Sequence, residues 1–160
     1  MFARALEADH REIDALYVDA VAALESGIAA AALERVDLFW ARLAMHIRAE
    51  HLHLFPALSR SLETAEVMTR LRDDHNVFMN NLAHAIKLLR VANGSSLPDL
   101  AEPLEIVRSL GHMLADHNRV EEETVYIERG DLSGTEQDEL AAAIDKELAN
   151  LPPRFAGRAK

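Results

Sequence analysis

The stretch MHIRAEHLHLFP, residues 45–56, decides how this chain is read, because it returns as HNRVEEETVY, residues 117–126. Overlaid, the two segments pair His46 with His117, Arg48 with Arg119, Glu50 with Glu121 and Phe55 with Tyr126. In each, a glutamate follows a histidine by four residues, which puts both on one face of a helix, a turn apart. That face is otherwise apolar: Val36, Phe39 and Leu43 lead into His46, and Val107, Leu110 and Leu114 lead into His117. A helical protein has set a histidine and a carboxylate into its own core stripe, twice.

The rest of the chain is also helical in pattern. Alanine, leucine, glutamate and arginine dominate, and strand-like alternation is absent. Breakers divide it. Ser26-Gly27 ends a first helix of roughly 2 to 25. A second spans about 30 to 60, with Pro56 loosening its last turn. A third starts near Glu63 and stops at Asn93-Gly94, before the loop NGSSLPD. A fourth runs from about 99 to 128, with Pro103 tolerated in its first turns. Gly130 and Gly134 flank a linker. Thr135 with Asp138 reads as a loosened capping box opening a fifth helix, to about Asn150, and RFAGRAK is a tail. The expected fold is all-α: an antiparallel up-down-up-down four-helix bundle with an additional C-terminal helix. Residues 1–134 would form the bundle, and residues 135–160 the added helix and tail. The stripe Leu140, Ile144, Leu148 would pack on the bundle or at an oligomer contact such as a homodimer.

Composition narrows the function. At 160 residues the chain is long enough for one domain with a full core. Without cysteine, thiolate metal sites, thiol nucleophiles and disulfides are excluded. Seventeen basic against 27 acidic residues give a net charge of −10, which argues against nucleic acid as a partner and favours cations. The N-terminus lacks the apolar run of a secretory signal and no stretch approaches a membrane span, so a cytoplasmic location is expected.

The first and third helices supply the remaining histidines. Leu6, His10, Ile13 and Tyr17 form one stripe, and Leu71, His75, Phe78 and Leu82 another. His10 and His75 lie early in odd helices; Glu50 and Glu121 lie late in even ones. In an antiparallel bundle those positions share one end. At about 1.5 Å per residue, all six side chains fall in one layer. A single inward histidine is commonly a satisfied core residue. Four at one level with two buried carboxylates need a partner, and a bound cation supplies both charge and bonds. His51, His84 and His112 fall off the stripes and are expected at the surface or boundary. Glu50-x-x-His53 matches the metal pair of ferritin-like sites, but the equivalent position on the fourth helix is Thr124, so His53 is expected outside the ligand set. Asp9, Asp74 and Asp116 each precede a layer histidine and could orient an imidazole on a neighbouring helix. Tyr17 is expected to pack.

His10, His46-x-x-x-Glu50, His75 and His117-x-x-x-Glu121, in that order, with Leu-Phe-Pro after the first glutamate, resemble the hemerythrin-like family with its HHE cation-binding domain. The resemblance spans residues 1 to about 128. It implies a bundle holding two iron ions, bridged by Glu50 and Glu121 and by an oxo or hydroxo group. His10, His46, His75 and His117 would cap the pair, and manganese or zinc could substitute. Oxygen-carrying hemerythrins are similar but place a second histidine one turn after the one on helix three, where this chain has Met79. They also use a carboxylate five residues after the helix-four histidine, where Glu122 stands here beside Glu121. The resemblance therefore implies a binding protein for dioxygen, nitric oxide or peroxide, or one that handles iron. The alternative is a di-iron redox enzyme turning over those same small molecules, favoured by the open position at Met79.

Overall fold

The computed structural model of the protein describes residues 2–58, 62–127 and 132–155. Among them there are helices and no strands. Helix α1 spans Phe2–Glu25 and α2 spans Ala29–Ala49. The chain continues from α2 through a π-helical turn, Glu50–Leu54, into the short α3, Phe55–Leu58. Then come α4, Leu62–Asn93, α5, Ala101–Thr124, and α6, Gly134–Leu148. Each long helix packs on its two neighbours, α1 against α2 and α5, and α4 against α2 and α5. This is the expected bundle. Helix α6 lies across α1 and α2.

The boundaries differ from the sequence reading in three places, each with a physical reason. The second helix is not one continuous α-helix. Pro56 has no N–H for the carbonyl four residues back and its ring crowds that carbonyl. The strain is taken up in a wider turn, and the Phe55 N–H bonds to the Glu50 carbonyl five residues away. The fifth helix is capped by Ser133 rather than opened by Thr135. Ser133 Oγ accepts from the Glu136 backbone N–H, and Glu136 accepts from the Ser133 N–H at 2.8 Å, the strict S-x-x-E form of the box. Helix α5 is shorter at both ends than the expected 99–128. Gly130, the end of helix two beyond 58, and tail residues 156–160 lie outside the described residues. Gly27, at φ +73°, provides the left-handed residue that ends α1.

Two large apolar clusters make up most of the core, and Leu38, Ala41 and Phe155 form a small third one. One apolar cluster joins Ile13, Leu43, Ile47, Phe78, Leu82 and Leu114 with residues further along the same helices. The other joins Leu6, Ala49, Leu54, Leu71 and Val125 with the α6 stripe of Leu140, Ile144 and Leu148. On each helix a histidine stands between them: His10 between Leu6 and Ile13, His75 between Leu71 and Phe78. A polar layer is thus sealed on both sides by apolar side chains. Tyr17 does pack: its ring meets Phe39 edge-on at 5.9 Å and crosses α5 where Gly111 leaves room. A Cβ there would lie 2.2 Å from the Tyr17 ring.

Candidate metal centre

The structure brings all six expected residues together. His10, His46, His75, His117, Glu50 and Glu121 are each no more than 3 % exposed. They fall into two histidine pairs. The Nε2 atoms of His10 and His46 are 3.2 Å apart, and those of His75 and His117 are 2.9 Å apart. Both glutamates lie between the pairs. Glu50 turns Oε1 toward His46 (3.7 Å) and Oε2 toward His75 (3.3 Å). Glu121 turns Oε2 toward His10 (3.3 Å) and Oε1 toward His117 (2.9 Å) and His75 (3.6 Å). Each carboxylate offers one oxygen to each pair.

Behind every imidazole stands a partner for its other nitrogen. Glu122 Oε1 is 2.8 Å from His10 Nδ1, and Asp9 Oδ2 is 2.9 Å from His46 Nδ1. His51 Nε2 is 2.9 Å from His75 Nδ1, and Asp74 Oδ2 is 3.1 Å from His117 Nδ1. An ionised carboxylate only accepts, so Nδ1 of His10, His46 and His117 must donate. Their Nε2 lone pairs then point into the layer. Asp9 is held in turn by the Arg42 guanidinium, which also donates to the Leu148 carbonyl of α6 at 3.2 Å.

Lone pairs facing lone pairs and carboxylates require positive charge among them. The electrostatics agree. Burial alone would lower the pKa of His46, but Glu50 and Asp9 outweigh it and raise it to about 10. Burial would likewise lower His117, and Glu121 and Asp74 raise it. Burial would raise Glu121, but the imidazoles of His10, His117 and His75 hold it well below the usual carboxylate range. Among the described residues, Glu50 Oε2 and Glu121 Oε1 find no hydrogen-bond partner although both are buried. An orphaned buried carboxylate oxygen is costly, and here each orphan faces a histidine nitrogen at a distance a shared cation would fill. The donor atoms of His10, His46 and Glu121 lie within 4.8 Å of one another, and so do those of His75, His117 and Glu121. Each group could hold a cation, and oxygen and nitrogen donors without sulfur suit non-haem iron, manganese or zinc.

Two residues beyond the expected set reach the layer. Tyr126 is buried, and its hydroxyl donates to Glu50 Oε1 (2.5 Å) and lies 3.1 Å from Glu121 Oε2 and 3.3 Å from both His10 and His46 Nε2. Burial, with Glu121 and Glu50 beside it, pushes its pKa well above the ordinary phenol value. Its only signal in the sequence was its pairing with Phe55. The second is His51, expected at the surface or boundary and found half-buried against His75. Burial, then His75 and Arg72, push His51 below the ordinary imidazole value. The wide turn explains the first. In an α-helix a residue five positions on is about 140° away. Backbone bonds from Phe55 to Glu50 and from Tyr126 to Glu121 span five residues instead, and bring each aromatic back over its glutamate.

The other expectations fall outside the layer. His53 approaches Glu147 of α6 at 3.9 Å, and Arg48 pairs with the same residue at 2.6 Å. Asp116 pairs with Arg70 and Arg119 at the surface, so of the three aspartates only Asp9 and Asp74 back a layer histidine. His84 is exposed and 3.5 Å from Glu102, and His112 is exposed. No helix among the described residues is long and apolar enough to cross a membrane.

Compared with known proteins, residues 1–126 match the family model described as the hemerythrin HHE cation binding domain. No curated protein and no solved structure matches the chain.

Proposed function

The chain belongs to the hemerythrin HHE cation binding domain family, and on that premise we propose that its buried layer holds two iron ions and presents them to dioxygen, nitric oxide or peroxide. His10 and His46 would hold one ion, His75 and His117 the other, with Glu50 and Glu121 shared. The observation that carries this reading is the disposition of the two glutamates: each is buried, each extends one oxygen to each histidine pair, and each keeps one oxygen without a hydrogen bond. The metal pair would supply electrons and open coordination positions for a small ligand.

The protein's own part is to build and dry the site. Glu122, Asp9, His51 and Asp74 fix the imidazole rings with Nε2 inward. The two apolar clusters exclude water above and below. Tyr126 keeps its proton at Oη and lends it to Glu50 Oε1, beside the His10–His46 pair. Met79, partly buried against the larger cluster, stands where an oxygen carrier would have another imidazole. That leaves the His75–His117 side with fewer donors and favours the alternative reading, a redox enzyme.

One experiment tests the proposal and separates its two forms. Purified protein is loaded anaerobically with ferrous iron, assayed for metal, then exposed to oxygen while its absorption spectrum is followed. Iron retained by the wild type and lost from Glu121→Ala supports the site. A coloured adduct that disappears under vacuum indicates reversible binding, and repeated oxygen consumption with a reductant indicates an enzyme. Equal iron in wild type and Glu121→Ala sinks the reading.

A further inference from the structure

The two halves of the layer are related residue by residue. His10 corresponds to His75, His46 to His117, Glu50 to Glu121, and Asp9 to Asp74. The residue after each glutamate then takes the same place: Glu122 behind His10 and His51 behind His75. Here the symmetry fails. Both imidazoles of the His10–His46 half rest on carboxylates, Glu122 and Asp9. In the His75–His117 half only His117 does, on Asp74, while His75 rests on the ring of His51.

We propose that His51 is a positioning residue for His75 and that, by standing where the other half has a carboxylate, it makes the His75–His117 half the weaker of the two cation positions. The inference rests on the two-cation reading above. For His75 to turn its Nε2 lone pair inward, its Nδ1–H must donate to His51 Nε2, so His51 must be neutral with its own proton on Nδ1. A neutral ring aligns His75 as well as a carboxylate would, but it adds no negative charge and raises the basicity of His75 less. The surroundings deepen the contrast. The Arg72 guanidinium lies 5.1 Å from the Phe55 ring centre, and that ring stacks on His75 within 7° of parallel. A cation therefore stands behind this half, and among the described residues no carboxylate faces His75 Nδ1.

The test is an anaerobic titration of chelator-treated protein with cobalt(II), followed by calorimetry and by the visible spectrum of the bound ion. Wild type should bind in two steps of unequal affinity. His51→Glu, which restores the symmetric carboxylate, should tighten the weaker step by about tenfold and leave the stronger within about twofold. His51→Ala should loosen the weaker step by about tenfold, and His51→Gln, whose amide oxygen can still accept from His75 Nδ1, should recover most of that loss. Glu122→Gln should loosen the stronger step instead. Circular dichroism of each stripped variant verifies that it folds, and if His51→Glu does not, the alanine and glutamine pair decides the matter. The proposal is overturned if His51 variants move both steps equally, move neither, or move the stronger one. If wild type takes up neither cobalt nor ferrous iron, the two-cation reading itself fails, which is a different result from variants that bind but do not discriminate.

Discussion

The two halves of the buried layer begin from one phrase and end with different surroundings. At the His10–His46 pair a tyrosine hydroxyl lies within 3.3 Å of both ring nitrogens. At the His75–His117 pair the corresponding aromatic is Phe55, stacked on His75 at 6.0 Å, with Phe78 edge-on to His117 at 5.0 Å. The repeat therefore preserves the histidines and glutamates that face one another and varies what stands around them. Two rings of nearly equal size, Phe55 and Tyr126, differ by one hydroxyl, and that hydroxyl gives one half a proton donor that the other lacks. On the two-cation proposal, a symmetric ligand set with asymmetric walls would let two ions share both carboxylates while behaving differently.

Glu121 is common to both halves, so its loss should have the largest effect. It belongs to both groups of donor atoms that could hold an ion. Glu121→Ala should remove metal from both positions together, read by elemental analysis after desalting. Retention of half the metal would show that the halves are more independent than the shared carboxylate implies.

Next come the two aspartates, which occupy equivalent places with unequal burial. The Asp9 side chain is 1 % exposed and lies between His46 and the Arg42 guanidinium. Asp74 is 25 % exposed and backs His117 alone. Asp9→Ala strands a largely buried cation and should cost about 3–5 kcal/mol, whereas Asp74→Ala should cost about 1 kcal/mol. Urea unfolding of the stripped variants measures both, and equal costs would contradict the network drawn through Arg42. That network also ends on α6, at the Leu148 carbonyl, so the Asp9 variant should loosen the C-terminal helix as well.

Tyr126→Phe makes the two aromatic positions alike. It leaves Glu50 Oε1 without its 2.5 Å donor and should destabilise the stripped protein by about 1–3 kcal/mol. An unchanged unfolding midpoint would mean that the hydroxyl is better solvated than its burial indicates.

Acidity should affect stripped and loaded protein in opposite senses. His46, raised to about 10 from 6.5, contributes stability that is whole below pH 6.5 and lost as pH climbs toward 10. His117 is raised as well and acts in the same direction. Glu121, held well below its ordinary 4.5, contributes above that value and loses its contribution as pH falls. Stripped protein should therefore weaken above pH 6.5, by at most about 1.4 kcal/mol per pH unit for each such histidine. Metal uptake improves over the same range because protons compete for the same nitrogens. Melting temperatures of the two forms should draw apart as pH rises from neutral, and parallel curves would show that the layer histidines do not change protonation on loading.

The helices, their order and the depth of the layer were readable from spacing alone, since one apolar stripe per helix and one breaker per loop leave few arrangements. His10, His46, His75 and His117 could be placed because they lie mid-helix, where α geometry is regular. What was not readable lies where that geometry stops. Tyr126 sits beyond a glutamate whose carbonyl is bonded five residues on, and a count at 100° per residue points it away from the layer; His51 backs a histidine on a neighbouring helix, which the stripe of its own helix does not report. Pro56 hinted that the second helix loosens, but a proline alone does not say in which direction the next side chains swing. The cap of α6 differs for a simpler reason: the strict pair Ser133-x-x-Glu136 begins two residues before Thr135.

The smallest expected effect belongs to His84, and it makes a sharp control for His51. Spacing set both histidines aside, His84 for lying half a turn off the α4 stripe and His51 for lying five residues after His46. The structure separates them. His84 is exposed, and its 3.5 Å approach to exposed Glu102 is the kind of surface pair that contributes little. His51 is hydrogen-bonded to a histidine of the layer. His84→Ala should leave metal content unchanged and shift stability by less than about 0.5 kcal/mol. His51→Ala should keep the protein folded and weaken one metal position. If His84→Ala also loses metal, α4 is rotated relative to the bundle and the assignment of His75 to the layer must be wrong. If neither variant loses metal, the support behind His75 is dispensable, and the difference between the two halves rests on the other contrasts, among them Tyr126 against Phe55 and Asp9 against Asp74.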